Sequence, residues 1–141
     1  MPVRSVDYVI AYSGDLERSV VFYRDVIGLR LKFVDAGYAE FDTGGCRFAL
    51  YERRRADWLT GVTTTPGPAA EVVFVVDSVD EEARRLVSLG VVPVAGPADR
   101  PWGHRTLHVA DPDGFVVEFA EEIPRTRSRG TFDAGLPGLM R

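Results

Sequence analysis

The first half of the chain shows strand-like and helix-like patterns of apolar residues in a defined order. Residues 6–12 form an apolar and aromatic run that predicts a buried strand. A stripe at helical spacing follows, formed by Leu16, Val20, Tyr23 and Ile27. Asp15 precedes the stripe as a helix N-cap, and Gly28 follows it as the expected stop. Three further apolar runs predict short strands at 29–34, 38–41 and 46–51.

The second half repeats this order of patterns. Residues 71–76 predict a strand, and Ser78 with Glu81 forms a capping box for a helix that Gly90 ends. The apolar stripe of this helix is formed by Val79, Ala83, Leu86 and Leu89. Three more strands are predicted at 91–94, 105–109 and 115–119. Each half is therefore predicted to be a βαβββ unit.

The two halves can be aligned at a turn, since the segment 42–45 (Asp-Thr-Gly-Gly) aligns with 111–114 (Asp-Pro-Asp-Gly). A duplicated unit carries a helix on one face of its sheet and needs cover on the other. We expect an α+β fold in which two βαβββ modules form a concave, partly open barrel-like sheet around a small-molecule cleft. The predicted boundaries are one domain at 1–122, made of module one at 3–52, a linker or loop at 53–69 and module two at 70–122, then a tail at 123–141.

Composition excludes several classes of function. The 141 residues carry a formal net charge of −4, so no basic surface for nucleic acid is expected. No run of apolar residues is long enough to span a membrane, and no apolar signal region opens the chain. Cys46 is the single cysteine, which is typical of a cytoplasmic protein and predicts a small core or strand residue there.

Four segments carry a resemblance to a known family: 15–19, 22–29, 100–103 and 111–119. In this order they resemble the vicinal oxygen chelate superfamily, which groups glyoxalases, bleomycin resistance proteins and dioxygenases. The resemblance covers about residues 3–122 and implies the paired βαβββ fold. The fold hosts isomerases, lyases, dioxygenases, thiol transferases and drug-sequestering proteins, so it does not by itself specify the reaction.

The resemblance also implies four positions that hold a divalent cation in the metal-dependent members. They fall here on Tyr8, Ala49, Glu71 and Glu118. Ala49 has no donor atom, and a neutral phenol at Tyr8 is a poor ligand, so we expect no metal and no other cofactor. The alternative is a hard cation held by the two carboxylates, the phenol, water and substrate oxygens. Neither His104 nor His108 aligns with a ligand position, and we expect solvated or core-satisfied imidazoles there.

Alternation along the predicted strands places further side chains in the cleft. The expected ligand-binding residues are Tyr8, Tyr12, Arg47, Tyr51, Glu71, Trp102 and Glu118. The indole of Trp102 either stacks on a flat ligand ring or anchors its loop against the sheet, whereas Trp58 is expected to pack or to contact a second subunit. Three roles are open for Glu71 and Glu118. One of them acts as a general acid or base, the two hold a cationic ligand, or each pairs with Arg47, Arg105 or a tyrosine.

Three functions remain open at this point. The first is a metal-free, homodimeric binding protein similar to the bleomycin-resistance branch, which sequesters an aromatic antibiotic or metabolite. The second is a glyoxalase-like lyase or isomerase, or a dioxygenase, that uses a metal or the two glutamates. The third is a regulatory or assembly module with a vestigial cleft.

Overall fold

The computed structural model describes residues 4–125, and these residues form two compact units. The first unit contains residues 4–72 and 110–116, and the second contains 73–109 and 117–125. The elements in chain order are β1 (Tyr8–Ser13), α1 (Leu16–Val21) continued by a π-helical turn (Phe22–Ile27), β2 (Arg30–Asp35), β3 (Tyr38–Asp42), β4 (Arg47–Glu52), α2 (Arg53–Thr60), β5 (Glu71–Val75), α3 (Val79–Ser88), β6 (Ala95–Arg100), β7 (His104–Ala110) and β8 (Val116–Glu122).

The strands form two four-stranded sheets of the same topology. The first has the order β1-β4-β3-β2 and the second has the order β5-β8-β7-β6. In the first sheet, β1 pairs with β4 in parallel, and β3 pairs antiparallel with both β2 and β4. This arrangement confirms the predicted α+β class and the repeated βαβββ order.

The helix of the first module begins and ends where the sequence predicts. The Asp15 carboxylate accepts a hydrogen bond from the Arg18 backbone nitrogen at 3.1 Å, which satisfies a donor of the first turn. Gly28 follows the π-helical turn with a φ of 94°, a left-handed conformation that glycine adopts without strain. The stripe between these ends buries the Tyr23 ring, which lies 4.8 Å from the Phe48 ring and 6.0 Å from the Phe41 ring.

The second module follows the same rules. The Ser78 hydroxyl accepts from the Glu81 backbone nitrogen at 3.2 Å and caps α3. The helix buries Val79 and Leu86 completely. The remaining large apolar side chains of this core come from β7 and β8, namely Leu107, Val109, Val117 and Phe119.

The structure corrects three predictions about local conformation. Residues 53–60, predicted as loop or linker, form α2. The strand predicted at 91–94 instead spans Ala95–Arg100. It begins later because the Gly90 and Val91 backbone nitrogens still donate to the Val87 and Leu86 carbonyls at the end of α3. Cys46 is exposed in the turn before β4 rather than buried in a core. Of the predicted tail at 123–141, residues 126–141 lie outside the described part of the chain.

Candidate functional site

One face of the first sheet gathers most of the aromatic residues that the sequence singled out. Alternate residues of a strand share a face, so the pairings of β1, β3 and β4 identify its members. Across β1 and β4, Tyr8 is opposite Arg47, Ile10 is opposite Ala49, and Tyr12 is opposite Tyr51. Across β3 and β4, Tyr38 is opposite Tyr51, and Glu40 is opposite Ala49. We call these eight residues the open face, namely Tyr8, Ile10, Tyr12, Tyr38, Glu40, Arg47, Ala49 and Tyr51.

The opposite face of the same sheet packs against the first helix, since Phe41 and Phe48 contact the Tyr23 ring. The sheet therefore separates a sealed apolar core from a surface that carries rings and charges. Tyr8 is 38% exposed and Ile10 is 43% exposed on the open face. Large apolar side chains left this accessible on one face of a sheet are available for a ligand.

Aromatic rings form a connected row on the open face. The Tyr38 and Tyr51 rings have centroids 6.3 Å apart in an edge-to-face arrangement, and the Phe33 ring lies 5.7 Å from Tyr38. At the start of β1, the Arg47 guanidinium lies 4.8 Å above the centre of the Tyr8 ring and donates a hydrogen bond to the Tyr8 hydroxyl. The face thus offers flat apolar surface with the Arg47 guanidinium at one end, where the Asp7 carboxylate lies 3.7 Å from it.

Glu40 is a charged residue of the open face that the sequence analysis missed. Its side chain is only 6% exposed. The carboxylate accepts a hydrogen bond from the Tyr38 hydroxyl at 2.7 Å and lies 3.4 Å from the Lys32 ammonium. The hydrogen bond from Tyr38, followed by the interactions with Lys32, lowers the pKa of Glu40. Burial, and then the Glu40 carboxylate, raise the pKa of Tyr38.

A second group of predicted residues comes together on the second sheet. One ligand atom from each of Glu71, His108 and Glu118 lies within 4.8 Å of the other two. His108 Nε2 is 3.1 Å from Glu118 Oε1, and the two side chains are 19% and 12% exposed. This contact is of the kind expected for a core-satisfied imidazole at His108. Arg105, one of the expected partners of Glu71 and Glu118, pairs with Asp80 and Asp99 instead.

The two tryptophans lie in different surroundings. Trp102 is partly buried in the turn between β6 and β7, where the Gly103 backbone nitrogen donates to the Arg100 carbonyl at 3.1 Å. Its contact with a ligand stays a prediction. Trp58 lies on α2 and is 84% exposed, so it is no part of the packed core.

The four positions that the family resemblance implies for a metal do not provide four donors. Ala49 is fully buried and has no donor atom. The Tyr8 hydroxyl already accepts from the Arg47 guanidinium, whose positive charge opposes a cation at that point. The neighbouring Glu40 carboxylate is engaged by Tyr38 and Lys32. A four-ligand site of that kind therefore does not fit these residues. The other two positions, Glu71 and Glu118, lie with His108 on the second sheet and form an oxygen, nitrogen, oxygen donor set.

Comparison with known proteins adds relatives of several activities. The chain is 27% identical over 120 residues to a bleomycin resistance protein of Geobacillus stearothermophilus, covering 78% of this chain and 91% of the relative. It is 29% identical over 122 residues to the metallothiol transferase FosB of Lysinibacillus sphaericus, covering 84% of this chain and 83% of that protein. Both alignments span most of the relative.

Solved structures give the same fold. A glyoxalase/bleomycin resistance protein/dioxygenase from Nocardioides superposes with a TM-score of 0.75 at 24% identity, over 92% of this chain and 91% of its own. A glyoxalase-related enzyme from Fulvimarina pelagi superposes with a TM-score of 0.74 at 26% identity, over 85% of this chain and 89% of its own.

Among residues 4–125, no helix has the length and apolar character needed to cross a membrane.

The family model for the Glyoxalase/Bleomycin resistance protein/Dioxygenase superfamily matches residues 5–119. This range contains the first βαβββ module, the second up to the middle of β8, the open face and the Glu71–His108–Glu118 cluster. The resemblance seen in the motifs is thereby confirmed, and the chain belongs to the glyoxalase/bleomycin resistance protein/dioxygenase superfamily.

Proposed function

We propose that this protein binds a small aromatic molecule on the open face without a metal and sequesters it, with no chemical turnover. The observation that carries the proposal is Ala49, which stands in the middle of the face at a position where the metal-dependent members have a ligand. Aromatic rings and the opposite charges of Arg47 and Glu40 surround this position. Such a surface recognises planar organic groups by stacking and shape.

The charged groups supply orientation. Arg47, which is 48% exposed at its side chain, presents hydrogen-bond donors beside the Tyr8 ring. Glu40 places a carboxylate between Tyr38 and Lys32 on the same face. A ligand with a flat ring and an acceptor group would stack along the tyrosines and direct its acceptor toward Arg47.

The similarity to bleomycin resistance proteins favours an antibiotic or a related aromatic metabolite as the ligand. We also propose a homodimer, since both sheets leave edge strands, β1 and β2 in the first and β5 and β6 in the second. Light scattering of the purified chain measures this directly.

Calorimetric titration of metal-free bleomycin into chelator-treated protein tests the proposed function. We expect saturable binding, with the ligand recovered chemically unchanged. Arg47→Met should weaken binding, whereas Arg24→Met, an arginine of similar exposure on the first helix, should not. Slow consumption of the ligand would contradict sequestration. If neither bleomycin nor any other planar antibiotic binds, the proposed function is wrong.

The Glu71–His108–Glu118 cluster favours a second function, that of a glyoxalase-like lyase or isomerase, or a dioxygenase. A divalent cation held there would polarise a substrate oxygen. Without a cation, the carboxylate of Glu118 orients the His108 imidazole, and the pair can move a proton. The similarity to a metallothiol transferase is consistent with this alternative. Elemental analysis after incubation with nickel, zinc, manganese and iron would support it if one metal is retained in the wild type and lost in Glu118→Gln.

A further inference from the structure

A small apolar pocket opens on the open face beside α2. Its volume is about 210 Å³, and every lining residue belongs to the first unit. β1, β3 and β4 supply one wall and α2 supplies the other, through Ile10, Tyr12, Tyr38, Tyr51, Ala56, Leu59 and Thr60. The segment predicted as a linker thus contributes a helix that turns the flat end of the open face into a pocket.

The pocket contains no charged side chain among its lining residues. Two of its hydroxyls are already used, because Tyr38 donates to Glu40 at 2.7 Å and Thr60 donates to the Ala56 carbonyl at 2.9 Å. The hydroxyls of Tyr12 and Tyr51 make no hydrogen bond to any residue between 4 and 125. The pocket therefore offers apolar walls with two uncommitted phenolic groups.

This chemistry discriminates between ligand groups. An ionised group moved into the pocket would lose its water and find no opposite charge in the walls, which is costly. A neutral ring keeps its favourable transfer from water and gains edge or face contacts with the tyrosine rings. A single hydroxyl or carbonyl on that ring finds a donor or acceptor in Tyr12 or Tyr51.

Size limits the group further. An apolar cavity of roughly 150 Å³ holds benzene in a well-studied case, so about 210 Å³ is suited to one ring or two fused rings. Ala56, which is 2% exposed, contributes a wall with a small side chain, and a larger residue there would fill the space.

We infer that this pocket binds the neutral, planar aromatic part of the ligand, a system of one or two fused rings that carries one hydroxyl or carbonyl group. The inference rests on the proposed function and specifies it, because it separates a ring subsite beside α2 from the charged region around Arg47. The rest of the ligand lies along the open face.

Titration of 2-naphthol, 2-naphthoate and 2-naphthylmethylammonium into the full chain at neutral pH tests the inference. The three probes share a fused ring and differ in charge. We expect 2-naphthol to bind more than about tenfold more tightly than either ion. Tyr51→Phe and Tyr12→Phe keep the ring and remove the hydroxyl, and at least one should weaken 2-naphthol binding by about fivefold. Equal binding of the three probes would overturn the inference.

A filling variant locates the probe. Ile10→Trp adds a ring inside the pocket and should abolish 2-naphthol binding, whereas Val21→Trp, at a position of similar exposure on the first helix, should leave it unchanged. Circular dichroism establishes that both variants fold. If Ile10→Trp does not fold, the phenylalanine variants decide.

The inference and the proposed function fail in different ways. If metal-free bleomycin binds the wild type but 2-naphthol does not, the ring subsite is wrong while the proposed function stands. If 2-naphthol binds equally well to Ile10→Trp, the subsite lies elsewhere and the inference is again wrong. If no aromatic molecule binds, both are wrong.

Discussion

Tyr23 donates a hydrogen bond from its hydroxyl to Asp111 Oδ2 at 2.8 Å, and both residues are buried. The bond joins the first helix to the turn at 111–114, and the other carboxylate oxygen of Asp111 accepts from the backbone nitrogens of Asp113 and Phe115. Asp113 in turn accepts from the Gly14 backbone nitrogen at 3.0 Å. The residues that carry the family resemblance therefore include a structural network as well as site positions.

Tyr23→Phe should destabilise the protein by about 1–3 kcal/mol, because it leaves a buried carboxylate oxygen without its donor. Urea unfolding followed by circular dichroism measures the change. Tyr12→Phe is the control, since the Tyr12 hydroxyl has no hydrogen bond to residues 4–125 and should cost little. Equal stability of Tyr23→Phe and the wild type would show that the bond contributes nothing.

The same carboxylate makes stability depend on pH. Burial raises the pKa of Asp111 in the folded protein above its ordinary value of 3.8. Folding therefore favours the protonated form, so this contribution to stability is complete below pH 3.8 and is lost as pH rises through the raised value. The difference in unfolding free energy between the wild type and Asp111→Asn should decrease as pH rises from below 3.8 toward neutrality. Denaturant unfolding across that range measures it, and a difference that grows with pH would reverse the assigned sign.

Much of the fold follows from local chemistry that the sequence displays. The Asp15 and Ser78 caps, the glycine at 28 and the apolar stripes are short-range signals, and each is found where the pattern predicts it. The helix at 53–60 was missed because its three arginines and exposed Trp58 give little apolar periodicity. Its stability comes from tertiary contact with β1 and β4, which the sequence does not show.

Glu40 should contribute stability of the opposite pH dependence. The hydrogen bond from Tyr38, with Lys32, lowers the pKa of Glu40 below its ordinary value of 4.5. The stabilisation is therefore present above pH 4.5 and is lost as pH falls through the lowered value. Melting temperatures of the wild type and Glu40→Gln should converge as pH falls, whereas Glu17→Gln, on an exposed glutamate of α1, should not change this dependence. A difference in melting temperature between the wild type and Glu40→Gln that stays constant at all pH values would contradict the lowered pKa of Glu40.

The two clusters predict separable effects of substitution. Glu118→Gln alters the second sheet and should leave the binding of metal-free bleomycin to the open face unchanged. Tyr51→Ala removes a ring of the open face and should weaken that binding by about tenfold or more. Calorimetry on both variants, each with a wild-type melting profile, makes the comparison. Loss of binding in Glu118→Gln would assign the ligand to the carboxylate cluster instead.

Strand alternation in the sequence predicted only those residues of the candidate site that share a face with their neighbours along one strand. Tyr8, Tyr12, Arg47 and Tyr51 share one face because the period of two and the parallel register of β1 and β4 place them there. Glu40 was missed because its importance depends on β3 lying beside β4, with Glu40 opposite Ala49. The contact of His108 with Glu118 likewise joins two strands, and no motif in the sequence predicts it.

The most direct test of the central claim is the binding of metal-free bleomycin to protein that has been freed of metal by a chelator, followed by chemical analysis of the recovered ligand. Sequestration on the open face predicts saturable binding that added zinc, nickel, manganese or iron does not strengthen, and a ligand recovered intact. Binding that appears only with one of these metals, or a ligand recovered in altered form, would contradict the claim. Loss of that effect in Glu118→Gln would assign the function to the Glu71–His108–Glu118 cluster.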